Sequence, residues 1–187
     1  LPANRPAARL SLDRMSAIRS VDPDRWTMTV EAGVTIEAIQ DAATEAGRAF
    51  APDWGARGTA TIGGAISTDA GGTNVVRYGN MRENILGIEV VLADGTIWDG
   101  LRALRKDSSG YDLKQLFIGG EGTLGVVTAA VVRLVPATPH RATALVALAG
   151  LDQLAAFVEH VRTAATDTVT ALELMSDEGI RTAADRF

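Results

Sequence analysis

The glycines of this chain are gathered rather than scattered: of 19, 15 lie between Gly55 and Gly125. Two phrases concentrate them, Thr61-Ile62-Gly63-Gly64-Ala65-Ile66-Ser67-Thr68-Asp69-Ala70-Gly71-Gly72 and Phe117-Ile118-Gly119-Gly120-Glu121-Gly122-Thr123-Leu124-Gly125. Glycine reaches φ > 0 and lets backbone come close to another group, but it loses the most conformational freedom on folding. Set among Ile, Ala, Val and Thr rather than in a polar linker, such a run describes a compact segment shaped around something. Paired glycines leave successive N–H groups bare, a concave donor array that suits phosphate or carbonyl oxygens. Thr61, Ser67, Thr68 and Asp69 add short polar side chains. A turn-rich barrel corner uses the same residues, and at this level both readings stay open.

Gly120-Glu121-Gly122-Thr123-Leu124-Gly125 satisfies GxGxxG. A dinucleotide-binding βαβ fingerprint must follow a strand, open a helix and be trailed by an acid about 20 residues on. Here a short helix precedes the motif, Val-Val-Thr-Ala-Ala-Val-Val follows it as a strand, and Leu145-Val146-Ala147-Leu148 occupies the place of the acid. The βαβ reading is rejected.

Length and charge bound the rest. A chain of 187 residues is one domain or one and a fraction. Net charge is −5, only Lys106 and Lys114 among the 18 basic residues are lysines, and no basic stripe exists, which excludes nucleic acid as a partner. Without cysteine there are no disulfides, thiolate nucleophiles or cysteine metal sites. No run of 18 apolar residues offers a membrane-spanning helix, and a cytoplasmic location is expected. Leu1-Pro2-Ala3-Asn4-Arg5-Pro6 has neither an initiator Met nor a signal-peptide core, so the chain is expected to be a fragment, the interior of a longer polypeptide.

Residues 26–31 alternate apolar and polar side chains as a half-buried strand does. Thr35 then caps a predicted helix whose apolar face is Ile36, Ile39, Ala43 and Ala46, with Gly47 at its end. Residues 50–80 keep no period and are expected as loop with short pieces. Residues 85–92 and 96–98 read as strands joined at Asp94-Gly95, Asp112 as the cap of a helix over 113–117, and 126–135 as a strand closed by Pro136. Beyond Pro136-Ala-Thr-Pro139-His-Arg141 the pattern predicts β-α-β-α: strands at 143–148 and 169–175, an amphipathic helix at 152–165, and a helix capped by Ser176 running to Phe187. That tail is too short to close a core of its own.

Five motifs, in this order and spacing, resemble the FAD-linked oxidase family, with the FAD-binding domain of the vanillyl-alcohol oxidase and p-cresol methylhydroxylase (PCMH) type. They are Ala60-Thr-Ile-Gly-Gly, Ala70-Gly-Gly, Arg77-Tyr-Gly, Asn84-Ile-Leu-Gly-Ile-Glu-Val-Val-Leu-Ala-Asp-Gly and Gly-Glu-Gly-Thr-Leu-Gly-Val-Val-Thr. The stretch Leu104-Arg-Lys-Asp-Ser-Ser-Gly-Tyr-Asp-Leu-Lys-Gln-Leu-Phe-Ile-Gly119 is similar to the D-2-hydroxyglutarate and D-lactate dehydrogenase branch, which includes glycolate oxidase subunit-like proteins.

The resemblance implies an α+β fold: residues 1–136 as the second subdomain of an FAD-binding domain, 137–141 as a linker, and 142–187 as the start of an α/β cap domain. It implies FAD as cofactor, not linked through cysteine, and a flavoprotein oxidoreductase parent. That parent oxidises a D-2-hydroxy acid, such as D-2-hydroxyglutarate or D-lactate, by hydride transfer to flavin N5, and passes electrons to an acceptor that remains unknown. Pro52, Asp53, Thr61, Ile62, Gly63 and Gly64 would line the flavin and its ribityl chain. Thr68, Asp69, Gly71 and Gly72 would continue that wall near the isoalloxazine. Glu121 and Gly122 would meet the ribose and pyrophosphate, and backbone groups at Val126 and Val127 the adenine edge. Two residues depart from the family: Asp69 where asparagine is usual, and Gly120 where serine or alanine is. An ionised Asp69 accepts hydrogen bonds but donates none.

The family's upstream glycine loop and downstream histidine motif have no counterpart here. His140 and His160 read as structural or solvated, no metal site is argued, and the catalytic residues are unknown from this sequence. The chain alone is therefore expected to have no turnover, to hold FAD poorly, and to self-associate through an exposed sheet edge. A non-catalytic flavin-binding module needing a partner chain is the alternative; a carbohydrate, alditol or alkylglycerone-phosphate enzyme is a third. Arg105-Lys106-Asp107 reads equally as positive charge at a flavin edge or a solvated turn, Tyr111 as a cofactor or substrate contact or a half-buried ring, and Trp54 as a cofactor wall. Trp26 and Trp98 fit strand cores. Glu173 reads as part of a solvated face, and Asp177 and Glu178 as a helix N-terminus.

Overall fold

The computed structural model describes residues 10–186. Its strands are β1 (Ile18–Asp22), β2 (Thr27–Glu31), β3 (Arg48–Ala49), β4 (Ile85–Val91), β5 (Ile97–Gly100), β6 (Val126–Arg133) and β7 (Val135–Pro136). Its helices are α1 (Ile36–Glu45), α2 (Ile62–Ser67), α3 (Val75–Tyr78), α4 (Met81–Asn84), α5 (Lys114–Phe117), α6 (Leu154–Ala165) and α7 (Asp177–Ala184).

The antiparallel sheet runs β1-β2-β6-β4-β5, and β3 pairs with β7 as a small second sheet. β6 sits in the middle, and its six residues Val127, Thr128, Ala129, Ala130, Val131 and Val132 are all buried. That matches a continuous β-branched and small-residue run rather than an alternating one. One core layer crosses three strands: Val30 and Ile88 both pair with Ala130, and none of the three exposes any surface. The small Ala130 leaves room for its larger neighbours.

The α1 unit forms as its sequence dictates. Thr35 Oγ1 accepts the Ala38 N–H at 3.2 Å, Ile36, Ile39 and Ala43 are buried, and Gly47 follows the helix with φ +68. The β4–β5 hairpin closes at Asp94-Gly95, where Gly95 has φ +85 and Asp94 Oδ1 accepts the Thr96 N–H. Residues 50–80 contain only the short α2 and α3 and loops, as expected. Gly120 to Gly125 lies between α5 and β6, a helix-to-strand order that bears out rejection of the βαβ fingerprint.

Several expectations need correction. Thr61 to Gly64 opens the helix α2, so this segment is not the turn-rich corner left open from the sequence. β1 gave no sequence signal, because a bulge between Ile18 and Ser20 breaks the period of two. Trp26 precedes β2 at φ +61, with the Arg48 guanidinium 4.8 Å over its ring, while Trp98 in β5 stacks on Phe117 at 5.4 Å. Asp112 does not cap α5; its carboxylate takes Lys114 Nζ and Gln115 Nε2 instead. Pro136 does not close β6 but pairs with Arg48 in the second sheet, where its missing N–H is tolerated at an edge.

Past Val135 no described residue is buried. The expected helices form there, α7 with its Ser176 cap ending at Ala184, and Phe187 lies outside the described residues. The expected strands at 143–148 and 169–175 do not form: both segments are without ladder partners. A strand needs a neighbour to satisfy its N–H and C=O groups, whereas a helix satisfies them within itself.

Candidate functional site

Residues 60–63 lie antiparallel to the β2–α1 connection. Ile36 N–H bonds Ala60 O at 3.0 Å, Ile62 N–H bonds Val34 O at 2.8 Å, and Gly63 N–H bonds Ala32 O at 2.8 Å. This seats α2 on the sheet with Ile62 and Ile66 fully buried, leaving Thr61, Gly64 and Ser67 on its open side. The seating is tight: a Cβ on Gly63 would lie 2.7 Å from Ala32 Cβ.

The second glycine segment is tied to the first through backbone. Gly119 N–H bonds Ile66 O at 3.0 Å, and Glu121 N–H bonds Ser67 O at 2.9 Å. Three left-handed positions, Gly119 (φ +76), Glu121 (φ +49) and Gly122 (φ +75), swing the chain around and deliver it to β6. The two phrases picked out by their glycines therefore form one structure, a helix braced against a turn.

Between them opens a cleft of about 480 Å³, walled by Thr61, Gly63, Gly64, Ser67, Gly122, Gly125, Val126 and Val127, with Gly33 and residues 10–13 on the remaining side. Small-molecule sites span roughly 300–1,000 Å³. Asp13 is the single charged residue in this lining, so an anionic ligand would be met by peptide N–H groups and the Thr61 hydroxyl, the Ser67 hydroxyl being donated to Gly63 O at 2.8 Å.

The glycines here divide by what surrounds them. Those at 33, 63 and 125 are demanded by packing, since a Cβ would come within 2.3 to 2.7 Å of Leu12 O, Ala32 Cβ and Val90 Cγ1 respectively. Gly64 is different: the nearest atom to its Cβ would be Thr61 Oγ1 at 3.6 Å, and around Gly122 nothing lies within 4 Å. Bare peptide facing an open cleft is what a dinucleotide cradle requires, and the residues present fit FAD in that respect.

Of the residues singled out from sequence, Thr61, Gly63, Gly64, Gly122, Val126 and Val127 come together on this cleft, with Ile62 buried beneath it and Glu121 in the bracing turn. Pro52 and Asp53 lie elsewhere. Asp53 borders a second opening of about 510 Å³ with Glu37, Trp54, Arg57 and Thr73. Asp53 Oδ1 accepts from Arg57 at 3.1 Å, and that bond holds the Arg57 guanidinium above its ordinary pKa. Pro52 O accepts from Gln40 Nε2 at 2.8 Å. Gly72, at φ +103, lies directly against Asp53 O, and Thr73 N–H bonds the same oxygen at 2.9 Å. Thr68 Oγ1 bonds back to Gly64 O, and Gly71 packs on Asn80 and Val75.

Asp69 faces neither opening. At φ +48, it accepts the Arg82 N–H at Oδ1 (2.9 Å) and Arg82 Nε at Oδ2 (3.3 Å).

Sequence reasoning missed residues 10–13, which wall the cleft only because the Leu12 and Met15 carbonyls close on Gly33; no local pattern announces that approach. Tyr111 is 94% exposed rather than half-buried. Arg105 and Lys106 are exposed, and Asp107 pairs with Arg102 at 3.0 Å, which holds its carboxyl below the usual range. His140 and His160 are exposed. Among the described residues, no group of three or more His, Asp or Glu is placed to hold a metal, and no helix is long and apolar enough to cross a membrane.

A family model described as "FAD binding domain" matches residues 4–100. The chain is 42% identical over 172 residues to a mitochondrial D-2-hydroxyglutarate dehydrogenase of Bos taurus, covering 90% of this chain and 31% of that protein. It is 41% identical over 182 residues to a putative mitochondrial D-lactate dehydrogenase of Schizosaccharomyces pombe, covering 95% of this chain and 34% of that one. It thus spans about a third of the length of these curated relatives. Among solved structures, an alkyldihydroxyacetonephosphate synthase matches 68% of the chain with a TM-score of 0.59 at 23% identity, covering 22% of that chain, a likeness of fold alone.

Proposed function

From the premise that the chain belongs to the FAD binding domain family, we propose that it forms the cofactor-holding part of an FAD-dependent dehydrogenase acting on D-2-hydroxy acids. The observation that carries this is the pair of backbone bonds from Gly119 to Ile66 and from Glu121 to Ser67, which make one cleft of two separate glycine segments.

In this reading Thr61, Gly63, Gly64 and Ser67 hold one side of the dinucleotide, and Glu121, Gly122, Val126 and Val127 the other. In the same proposal the wall continues along Thr68, Gly71 and Gly72 to Pro52 and Asp53, supported by Gly72 lying directly against Asp53 O. The chemistry that FAD supplies when bound is acceptance of a hydride at N5, here from C2 of the hydroxy acid. This chain's part is to orient the cofactor with peptide N–H groups and the Thr61 hydroxyl, and to exclude water from one of its faces.

The domain division at 136 and 142 belongs to the same proposal, with residues 142–187 opening a cap domain. So do a cytoplasmic location and self-association through the sheet edges at β1 and β5. Fractionation of the source cells tests the location, since relatives of both named kinds carry "mitochondrial" in their names.

The test is made on the intact protein. Purified protein should be yellow, release FAD on denaturation, and reduce a dye acceptor with D-2-hydroxyglutarate or D-lactate. Bound FAD with no turnover on any D-2-hydroxy acid would favour a flavin-binding module; absence of flavin after reconstitution would overturn the proposal.

A further inference from the structure

Arg82, in α4, does not line the cleft, yet it touches the chain just beyond each of its walls. Its Nε donates to Asp69 Oδ2 (3.3 Å), directly after α2 and Thr68. Its Nη2 donates to Ile118 O (2.6 Å), directly before the second glycine segment. Its Nη1 donates to Gln115 O (3.1 Å) and to Gln115 Oε1 (2.6 Å) in α5. The Arg82 N–H itself bonds Asp69 Oδ1 at 2.9 Å, which fixes the start of α4 on the same carboxylate. A guanidinium has five N–H donors in a planar fork, and here the fork joins the Asp69 carboxylate, just after α2, to the Gln115 and Ile118 carbonyls of the α5 segment.

Gly119 is shaped for this. It has φ +76, and a Cβ there would lie 3.2 Å from Arg82 Nη2 and 3.3 Å from Asp69 Cβ. The glycine makes room for the clamp rather than for a ligand. Asp69, the departure from the family's asparagine, now has a physical account: an ionised carboxylate offers both oxygens to Arg82, whereas an amide offers one.

We propose that Arg82 is a positioning residue for the cofactor, setting the gap between the two glycine segments with Asp69 as its anchor. The inference rests on the FAD-binding reading above. The Asp69–Arg82 ion pair is partly exposed, with 36% of the Arg82 side chain and 22% of the Asp69 side chain accessible, so its charge attraction contributes little alone. The bonds to Ile118 O and Gln115 O carry the effect, because they reach the main chain that leads directly into the second wall.

The experiment compares wild type with Arg82→Ala, Arg82→Lys, Asp69→Asn and Gln115→Ala in the intact protein. Three readouts are taken: FAD dissociation constant, visible flavin circular dichroism, and amide exchange at Gly119 and Glu121 in the FAD-free form. Losing charge-assisted bonds from Arg82→Ala should weaken FAD binding about tenfold or more, change the flavin dichroism, and speed exchange at both amides. Asp69→Asn and Gln115→Ala should each weaken binding about two- to fivefold. Arg82→Lys should recover part of the charge but not the fork, and so fall between Ala and wild type. FAD binding and dichroism unchanged in Arg82→Ala would overturn the proposal. So would failure of Arg82→Ala to fold together with unchanged FAD affinity in Asp69→Asn and Gln115→Ala. Wild-type protein that binds no FAD, with exchange at Gly119 and Glu121 still Arg82-dependent, would instead sink the FAD reading.

Discussion

The two ends of this chain carry helices of similar local quality and reach different fates. In α1, Thr35 caps the first turn and Ile36, Ile39 and Ala43 are buried against β-structure. In α7, Ser176 caps the first turn at 3.0 Å and Asp177 pairs with Arg181 at 2.9 Å, but none of its residues is buried. Extended segments divide the same way. β2 pairs with β6 in continuous register and β4 pairs with β6 through two register shifts, while residues 143–148 and 169–175 pair with nothing among the described residues. Local signals bring a helix into being at either end; only the glycine-rich half also brings its apolar faces together.

The largest effect that would break this comparison is on the core. Ile88→Ala should cost about 2–5 kcal/mol in denaturant unfolding, because its side chain is fully buried in the three-strand layer. Leu145→Ala, at a residue 82% exposed, should change unfolding by no more than about 0.5 kcal/mol. Equal costs would mean that the C-terminal segment has a core of its own.

Next comes the division among glycines. Gly63→Ala should lower stability by about 1–3 kcal/mol through the clash with Ala32. Gly64→Ala has room and should leave melting unchanged or slightly raised, while weakening FAD binding if the cleft is the cradle. A thermal melt and an FAD titration of both variants separate packing glycine from ligand glycine.

The caps give a smaller contrast. Thr35→Ala should lower global stability by about 1 kcal/mol, whereas Ser176→Ala should fray α7 by a similar local amount and leave global unfolding unmoved. Amide exchange resolved by residue checks this, with β2 and β6 amides at the global limit and α7 amides far below it.

The smallest effect concerns pH at the sheet edge. Glu31 accepts the Ala17 N–H at 3.0 Å and pairs with Arg19 at 3.3 Å, and first the backbone bond, then the arginine, hold its carboxyl below the ordinary value. A carboxylate depressed by folding contributes stability that is complete above its unfolded pKa and lost as pH falls through the folded one. Glu31→Gln should therefore remove a small stabilisation at neutral pH and flatten the acid limb of the stability profile below about pH 4.3, where the two proteins converge.

Legibility followed the range of the interaction. The α1 unit, the Asp94-Gly95 hairpin and the β6 run were readable because a cap, a turn dipeptide and a β-branched stretch act within a few residues. β1 was not, since its bulge hides the alternation. Asp112 was misread as a cap because Lys114, two residues on, captures its carboxylate. Within the candidate site, the glycine phrases could be located, but not which glycines serve packing and which face the cleft.

By itself, the sequence determined that glycine-rich segments would dominate one half, that α1, α6 and α7 would be helices, and that the chain shares the motifs of an FAD-binding family. Only the tertiary structure decided that Ile66 and Ser67 meet Gly119 and Glu121, that residues 10–13 complete the cleft, and that Asp69 answers to Arg82. The reason is physical: caps, turns and helical bonds close over a few residues and leave their mark in local composition. Contacts across 33 or 36 residues, such as Arg82 to Gln115 and Ile118, leave none.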